Sequence, residues 1–184
     1  MNPGVVIGLI FGGVLAWTLF KTVRAASNLN YTMLGFGIYR VSSEGVSLRL
    51  KMRLTNATNT PLKVNLIDLA AYLNSKTSYD SNGNLVVNSR GDLLSSYADS
   101  AGFLIAANGF TEKQFIFNLR WEDLGRVLLG NAASIINAIA NQQGMNSIIS
   151  SVVGHNILLY GIVKAEGISV NVCTIIPITD ERNS

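Results

Sequence analysis

The sequence predicts a mainly β fold: an antiparallel β-sandwich with a helical insertion before its last two strands and an apolar helix ahead of its first. Three observations predict it. Residues 46–55 alternate without error, with Val46, Leu48, Leu50, Met52 and Leu54 on one face and Ser47, Arg49, Lys51, Arg53 and Thr55 on the other. Period 2 over that length belongs to a strand with one buried and one wet face. Six to eight apolar runs of strand length are joined by hairpin-type links, without the strand–helix alternation of a parallel sheet. From Glu122 onward the apolar period changes to that of a helix. The chain divides into residues 1–26, a hydrophobic helix; 27–178, the sandwich; and 179–184, a polar tail expected to fray.

Composition sets the broad class. Of 184 residues, 48% are hydrophobic and 14% charged, against about 25% charged in an average soluble domain. That deficit, with a mean hydropathy of +0.33, points to a membrane segment, an assembly interface, or both. The net charge is +3 with scattered bases. Nucleic-acid binding asks for a basic stripe; the ordered one here, Arg49, Lys51 and Arg53, reads as the solvated face of a strand, so no nucleic-acid partner is expected.

Val5 to Phe20 carries no charge, and Trp17 stands near its end, before Lys21 and Arg24. Counted from Pro3 to Lys21 it offers about 17 to 18 usable residues, the low end of what spans a bilayer as a helix. Gly8 and Gly12 form a Gly-xxx-Gly pair that lets two such helices approach closely. Lys21 and Arg24 place the following domain on the cytoplasmic side of a single-pass membrane protein. Two alternatives share this sequence. Ala25-Ala-Ser27 offers a cleavage site, although a signal peptide has its bases before the apolar run. An apolar helix buried between subunits of a large assembly, such as a virion, reads the same way. The partners expected of residues 5–20 are therefore a lipid bilayer or neighbouring subunits, in a homo- or hetero-oligomer.

The remaining elements follow in order. Tyr31 to Arg40 alternates imperfectly, with Thr32, Leu34, Phe36 and Ile38 on one face; Gly35 and Gly37 on the other imply a bend or a close backbone approach. Asn56-Ala-Thr-Asn59-Thr-Pro61 is turn chemistry, read as the loop of a central hairpin joining residues 46–55 to 62–74. Past Pro61, Leu62, Val64 and Leu66 share one face and Ile67, Leu69, Ala71 and Leu73 the other, the phase shift of a β-bulge. Residues 75–91 are polar loops around a short strand at Leu85-Val-Val87. Residues 93–104 are irregular, and Phe103 to Ala107 leads to Asn108-Gly109, the strongest short hairpin signal in the chain. Phe115, Phe117, Leu119 and Trp121 alternate as core. Leu124, Val127, Leu128, Ile135, Ile136 and Ile139 keep helical spacing to about residue 142, a second short helix covers Met145 to Val153, and two closing strands run over 157–165 and 168–177.

This order resembles the late-embryogenesis-abundant group 2 domain, also called the water-stress and hypersensitive-response domain. The likeness rests on Leu48 to Thr55, the turn residues Asn56, Asn59 and Pro61 with Leu62, and Leu69 to Asn74; Ile105 to Gly109 and Tyr160-Gly-Ile-Val163 add to it. The turn lacks the family's central Pro, and Leu73-Asn-Ser75 lacks its Gly. Over residues 29–178 the resemblance implies an immunoglobulin- or fibronectin-like sandwich with no catalytic residues, associated with stress protection, membrane attachment and ligand binding. Antiparallel pairing of residues 46–55 with 62–74, with Leu48, Leu50 and Met52 buried, is the structural condition this reading sets.

Catalytic chemistry leaves little trace. Phosphate-loop, dinucleotide, zinc-protease and nucleophile-elbow patterns do not occur. Glu122 and Asp123 are neighbours at a helix start, where carboxylates favour the helix dipole. Cys173 and His155 are each the single residue of their type, too few for a metal set, and Cys173 lies in an apolar strand run. The expectation is a non-enzymatic, membrane-anchored sandwich with a binding, scaffolding or protective role, without cofactor, metal or identified small-molecule substrate; the alternative is a structural subunit of a large assembly.

Overall fold

The computed structural model of the protein describes residues 28–124, 149–150, 152–166 and 168–182. Alternating sequence builds eleven strands among them: β1 (Leu29–Val41), β2 (Gly45–Asn56), β3 (Leu62–Leu73), β4 (Lys76–Tyr79), β5 (Leu85–Ser89), β6 (Asp92–Asp99), β7 (Phe103–Ile105), β8 (Phe110–Arg120), β9 (Asn156–Ala165), β10 (Ile168–Pro177) and β11 (Thr179–Asp180). The first sheet has the order β11-β1-β2-β8. The second has the order β10-β9-β3-β6, with β7 also pairing β3; β4 and β5 form a separate ribbon. Every pairing is antiparallel except that of β11 with β1.

The two sheets share one apolar core. Leu48, Leu50, Met52 and Leu54 of β2 point into it and are fully buried, as their alternation requires, together with Phe115 and Phe117 of β8 and Leu69 and Ala71 of β3. Tyr97 of β6 reaches across to Phe115 with ring centroids 5.1 Å apart. Each fully buried large side chain of this kind contributes about 1.5–3 kcal/mol.

One central expectation is overturned. Residues 46–55 and 62–74 do not pair with each other. β2 lies between β1 and β8 in the first sheet, whereas β3 lies between β9 and β6 in the second. The segment from Asn56 to Pro61 is thus a crossing from sheet to sheet. Asn108-Gly109 is a second crossing, from β7 against β3 to β8 against β2. Alternation states which residues are buried; it does not state which neighbour strand supplies the hydrogen bonds.

Smaller corrections have local causes. In β1 the register shifts between Met33 and Gly35, so Leu34 turns outward while Tyr31 and Met33 join Phe36 and Ile38 on the core side. The stretch 93–104 holds β6 and β7 rather than irregular chain, β4 joins β5 within 75–91, and eleven strands exceed the six to eight expected. The tail is not frayed over its described part: Thr179 and Asp180 pair with Gly37 and Ile38. By contrast, the bulge read from the phase shift in β3 is present between Val64 and Leu66, and the closing hairpin pairs β9 with β10 throughout.

Helix is scarce among the described residues, limited to positions 121–124, 149–150 and 152. The predicted N-terminal helix and most of the helical insertion fall on residues 1–27 and 125–148, outside the described residues. Strand directions still give the domain two distinct ends. Leu29 pairs with Asn56, so the chain enters beside both inter-sheet crossings, at what we term the lower end. The β1–β2 turn, the end of β8 and the start of β9 lie at the upper end.

Candidate functional site

The lower end is organised by Asn56, 0% exposed and the one buried polar residue among those described. Its Nδ2 donates to Thr60 O at 2.7 Å and to Ala106 O at 3.2 Å. Its Oδ1 accepts from Thr58 N at 3.2 Å and Thr58 Oγ1 at 2.9 Å. Its backbone N donates to Gly109 O at 2.9 Å, and Asn108 N donates to Thr58 O at 2.6 Å. One amide side chain therefore ties both crossings together and satisfies carbonyls that the sheets leave unpaired. Asn108 holds a φ of 50°, a left-handed conformation that Asn tolerates better than most residues. The other two turn residues singled out in the sequence, Asn59 and Pro61, are exposed.

On the outer face of the first sheet, the basic stripe of β2 meets carboxylates. Arg49 donates to Glu181 Oε2 through Nε at 3.2 Å and Nη2 at 2.8 Å, and Lys51 Nζ lies 3.1 Å from the same oxygen. Arg53 Nη2 lies 2.6 Å from Glu112 Oε1. The stripe sits on an inner strand and is charge-compensated. Glu181 reaches it from β11 by crossing β1 above Gly35 and Gly37; a Cβ on Gly37 would meet Thr179 Oγ1 at 2.5 Å and Glu181 Cγ at 2.8 Å. The close approach expected at these glycines is met by the tail. Burial pushes the Glu181 carboxyl up, but the hydrogen bonds and charges of Arg49 and Lys51 outweigh it and hold the group below its usual value. Arg182 holds Asp180 down, to about 2, chiefly by hydrogen bonding. Sequence reasoning missed Glu181; the available signal was two glycines spaced by two on a strand beside Arg49 and Lys51.

Cys173 and His155 are not brought together. Asn156 pairs with Pro177 and Tyr160 with Cys173, which separates the two by at least four ladder steps, or roughly 13 Å. Burial raises the Cys173 thiol, and Tyr31 Oη accepts from its backbone N at 3.3 Å across the two sheets. Among the described residues no group of three or more His, Cys, Asp and Glu is placed to hold a metal. The apolar gap lined by Val46, Leu48, Leu73, Leu94 and Leu119 measures about 10 Å³, at the lower limit for a single water. A polar hollow of about 490 Å³ opens at the upper end between Arg40, Ser42, Ser47, Asn118 and Arg120; there Ser47 already donates to Asn118 and Arg120 to Asp123. Gly8, Gly12, Trp17, Lys21 and Arg24 lie outside the described residues. Among those described, no helix is long and apolar enough to cross a membrane.

No family model and no curated protein matches the chain. Several solved structures are distantly similar to it. A protein from Archaeoglobus fulgidus is 10% identical, with 81% of this chain and 93% of that one covered and a TM-score of 0.44. The sporulation control protein Spo0M of Bacillus subtilis is 9% identical, with 84% and 49% covered and a TM-score of 0.41. A candidate late embryogenesis abundant protein is 8% identical, with 99% and 88% covered and a TM-score of 0.35. At such scores these likenesses decide neither family nor function.

Proposed function

We propose that the protein is a non-enzymatic, membrane-anchored β-sandwich of immunoglobulin- or fibronectin-like type, with a binding, scaffolding or protective role. The observation that carries the reading is the uncharged run Val5 to Phe20, separated by eight residues from Leu29, the first residue of β1. The engagement of Arg49, Lys51 and Arg53 with Glu181 and Glu112 supports a structural rather than catalytic use of the outer face. The finer fold class is supported by strand order. β1-β2-β8 opposite β10-β9-β3 follows the arrangement in which the second and third strands of an immunoglobulin domain belong to opposite sheets.

The resemblance to the late-embryogenesis-abundant group 2 domain contributes less than its motifs alone would. The pairing condition set for it fails, although Leu48, Leu50 and Met52 are buried as required. A second reading, a subunit of a large assembly, is favoured by large exposed apolar side chains such as Tyr79 at 70% and Leu93 at 51%. Membrane fractionation of the full chain against a chain lacking residues 1–26 separates the two. The anchored reading expects the full chain with membranes and the shortened one as a soluble monomer. Rings or shells built by the shortened chain would replace it with the assembly reading.

A further inference from the structure

We propose that the lower end of the sandwich rests on an anionic lipid bilayer surface, with Phe110 and Leu104 entering the headgroup layer. This rests on the anchored reading and adds which end of the domain, and which residues, meet the lipid.

Three observations converge on that end. The chain reaches the domain there, since Leu29 pairs with Asn56. The eight residues 21–28 between the apolar run and β1 span at most about 26–29 Å when extended, so the crossings stay close to whatever holds residues 5–20. The tips of the two crossings, residues 57–60 and 106–109, contain no charged side chain, and flanking them are two of the most exposed apolar residues, Leu104 at 67% and Phe110 at 59%. Leu104 stands on the outer face of the second sheet and Phe110 on that of the first, so the pair straddles the tip.

Cations surround this apolar end. The Arg53 guanidinium lies 4.6 Å from the Phe110 ring centroid. Lys63 stands opposite Leu104 in the β3–β7 register, and Lys113 Nζ lies 4.3 Å from the Phe103 ring; further along β3, Lys164 of β9 is close to the level of Asp68 and Asp99 and adds no net charge. The carboxylates nearby are Glu112, paired with Arg53, and Glu166, whose Oε1 accepts from Lys63 N at 3.1 Å. Among these, Arg53, Lys63 and Lys113 stand against Glu112 and Glu166, and Lys21 and Arg24 add positive charge in the adjoining sequence. An uncharged tip with apolar and aromatic anchors and a net positive charge behind it is the chemistry of a surface that sits in an anionic lipid interface. At the upper end Glu44, Asp92, Glu122 and Asp123 are balanced by Arg40, Lys76, Arg90 and Arg120.

The test uses the full chain with Cys173→Ser, carrying Leu104→Cys, Phe110→Cys or, at the upper end, Ser43→Cys. Each is labelled with a polarity-sensitive fluorophore and reconstituted into vesicles of phosphatidylcholine and phosphatidylglycerol with brominated acyl chains. The expected result is flotation of all three with the vesicles, quenching and a blue shift at 104 and 110 from a depth of about 5–10 Å, and neither at 43. Flotation without quenching at 104 and 110 overturns the docking and leaves the anchor standing. Equal quenching at 43 also overturns it, and absence of flotation removes both readings. Label self-quenching at 104 or 110 in detergent without lipid would assign the surface to a second copy of the chain and likewise overturn the proposal.

Discussion

Arg49 and Glu181, 132 residues apart in sequence, meet at 2.8 Å on the outer face of the first sheet, with β1 passing beneath the carboxylate. The tail is thereby fastened to a strand it does not pair with. Because Arg49 and Lys51 hold the Glu181 carboxyl below its ordinary value, its contribution to stability is complete above that ordinary value and is lost as pH falls through the lower value of the folded state. Glu181→Gln is expected to cost about 1.5–3 kcal/mol near neutral pH, the magnitude of a hydrogen bond to a charged group. The difference from the parent should close as pH falls through the folded-state value. Urea unfolding of both proteins across that range measures it; a constant difference at every pH would refute the assignment.

Gly37 is where the tail comes closest. A side chain there would enter the space of Thr179 and Glu181, and β11 is too short to hold by itself, being two residues long. Gly37→Val is expected to displace the tail while leaving β1–β2 pairing intact. Amide hydrogen exchange should then rise at Thr179 to Glu181, where Glu181 N now donates to Ile38 O at 3.0 Å, and remain slow in β2.

Much of the core was legible in the sequence and much of the connectivity was not. The buried face of β2, the aromatic face of β8 and the bulge of β3 all follow from the positions of apolar residues, which is the quantity burial selects. Asn56 to Pro61 defeats the same reasoning because Asn, Thr and Pro serve a hairpin loop and a sheet-to-sheet crossing equally well. The hairpin expectation was also at odds with the immunoglobulin-like fold expected beside it, whose second and third strands lie in different sheets. Leu34 turns outward because a bulge inverts the face of every residue beyond it, and the neighbouring glycines give no apolar marker of that inversion. β11 left no periodic trace, since two residues are too few to show one. Of the candidate site, Asn56 was marked as a turn residue, but its role between two crossings depends on Ala106 and Gly109, about fifty residues away.

Cys173 provides a check on the β10 edge. Its thiol is raised by burial, which lowers the thiolate fraction, and the thiolate is the reactive form. Alkylation of the folded protein near neutral pH is expected to be slower than that of the urea-unfolded chain. Equal rates would mean that the second sheet leaves this side chain open.

Asn56 offers the sharpest contrast in the lower end. Asn56→Ala removes the donor to Thr60 O and Ala106 O and the acceptor for Thr58, leaving several buried groups without partners. A loss of about 2–4 kcal/mol is expected, since each unsatisfied buried group costs about 1–3 kcal/mol and neighbouring losses do not add fully. Asn56→Asp keeps the acceptor but sets a carboxylate beside two carbonyl oxygens. Its destabilisation should therefore shrink on acidification, when the protonated acid can donate to one of them. Asn59→Ala, on the exposed side of the same turn, should change stability by less than about 0.5 kcal/mol. Equilibrium urea unfolding of the three variants ranks them, and an Asn59 effect as large as that of Asn56 would show that the turn, rather than the tie between the two crossings, supplies the stability.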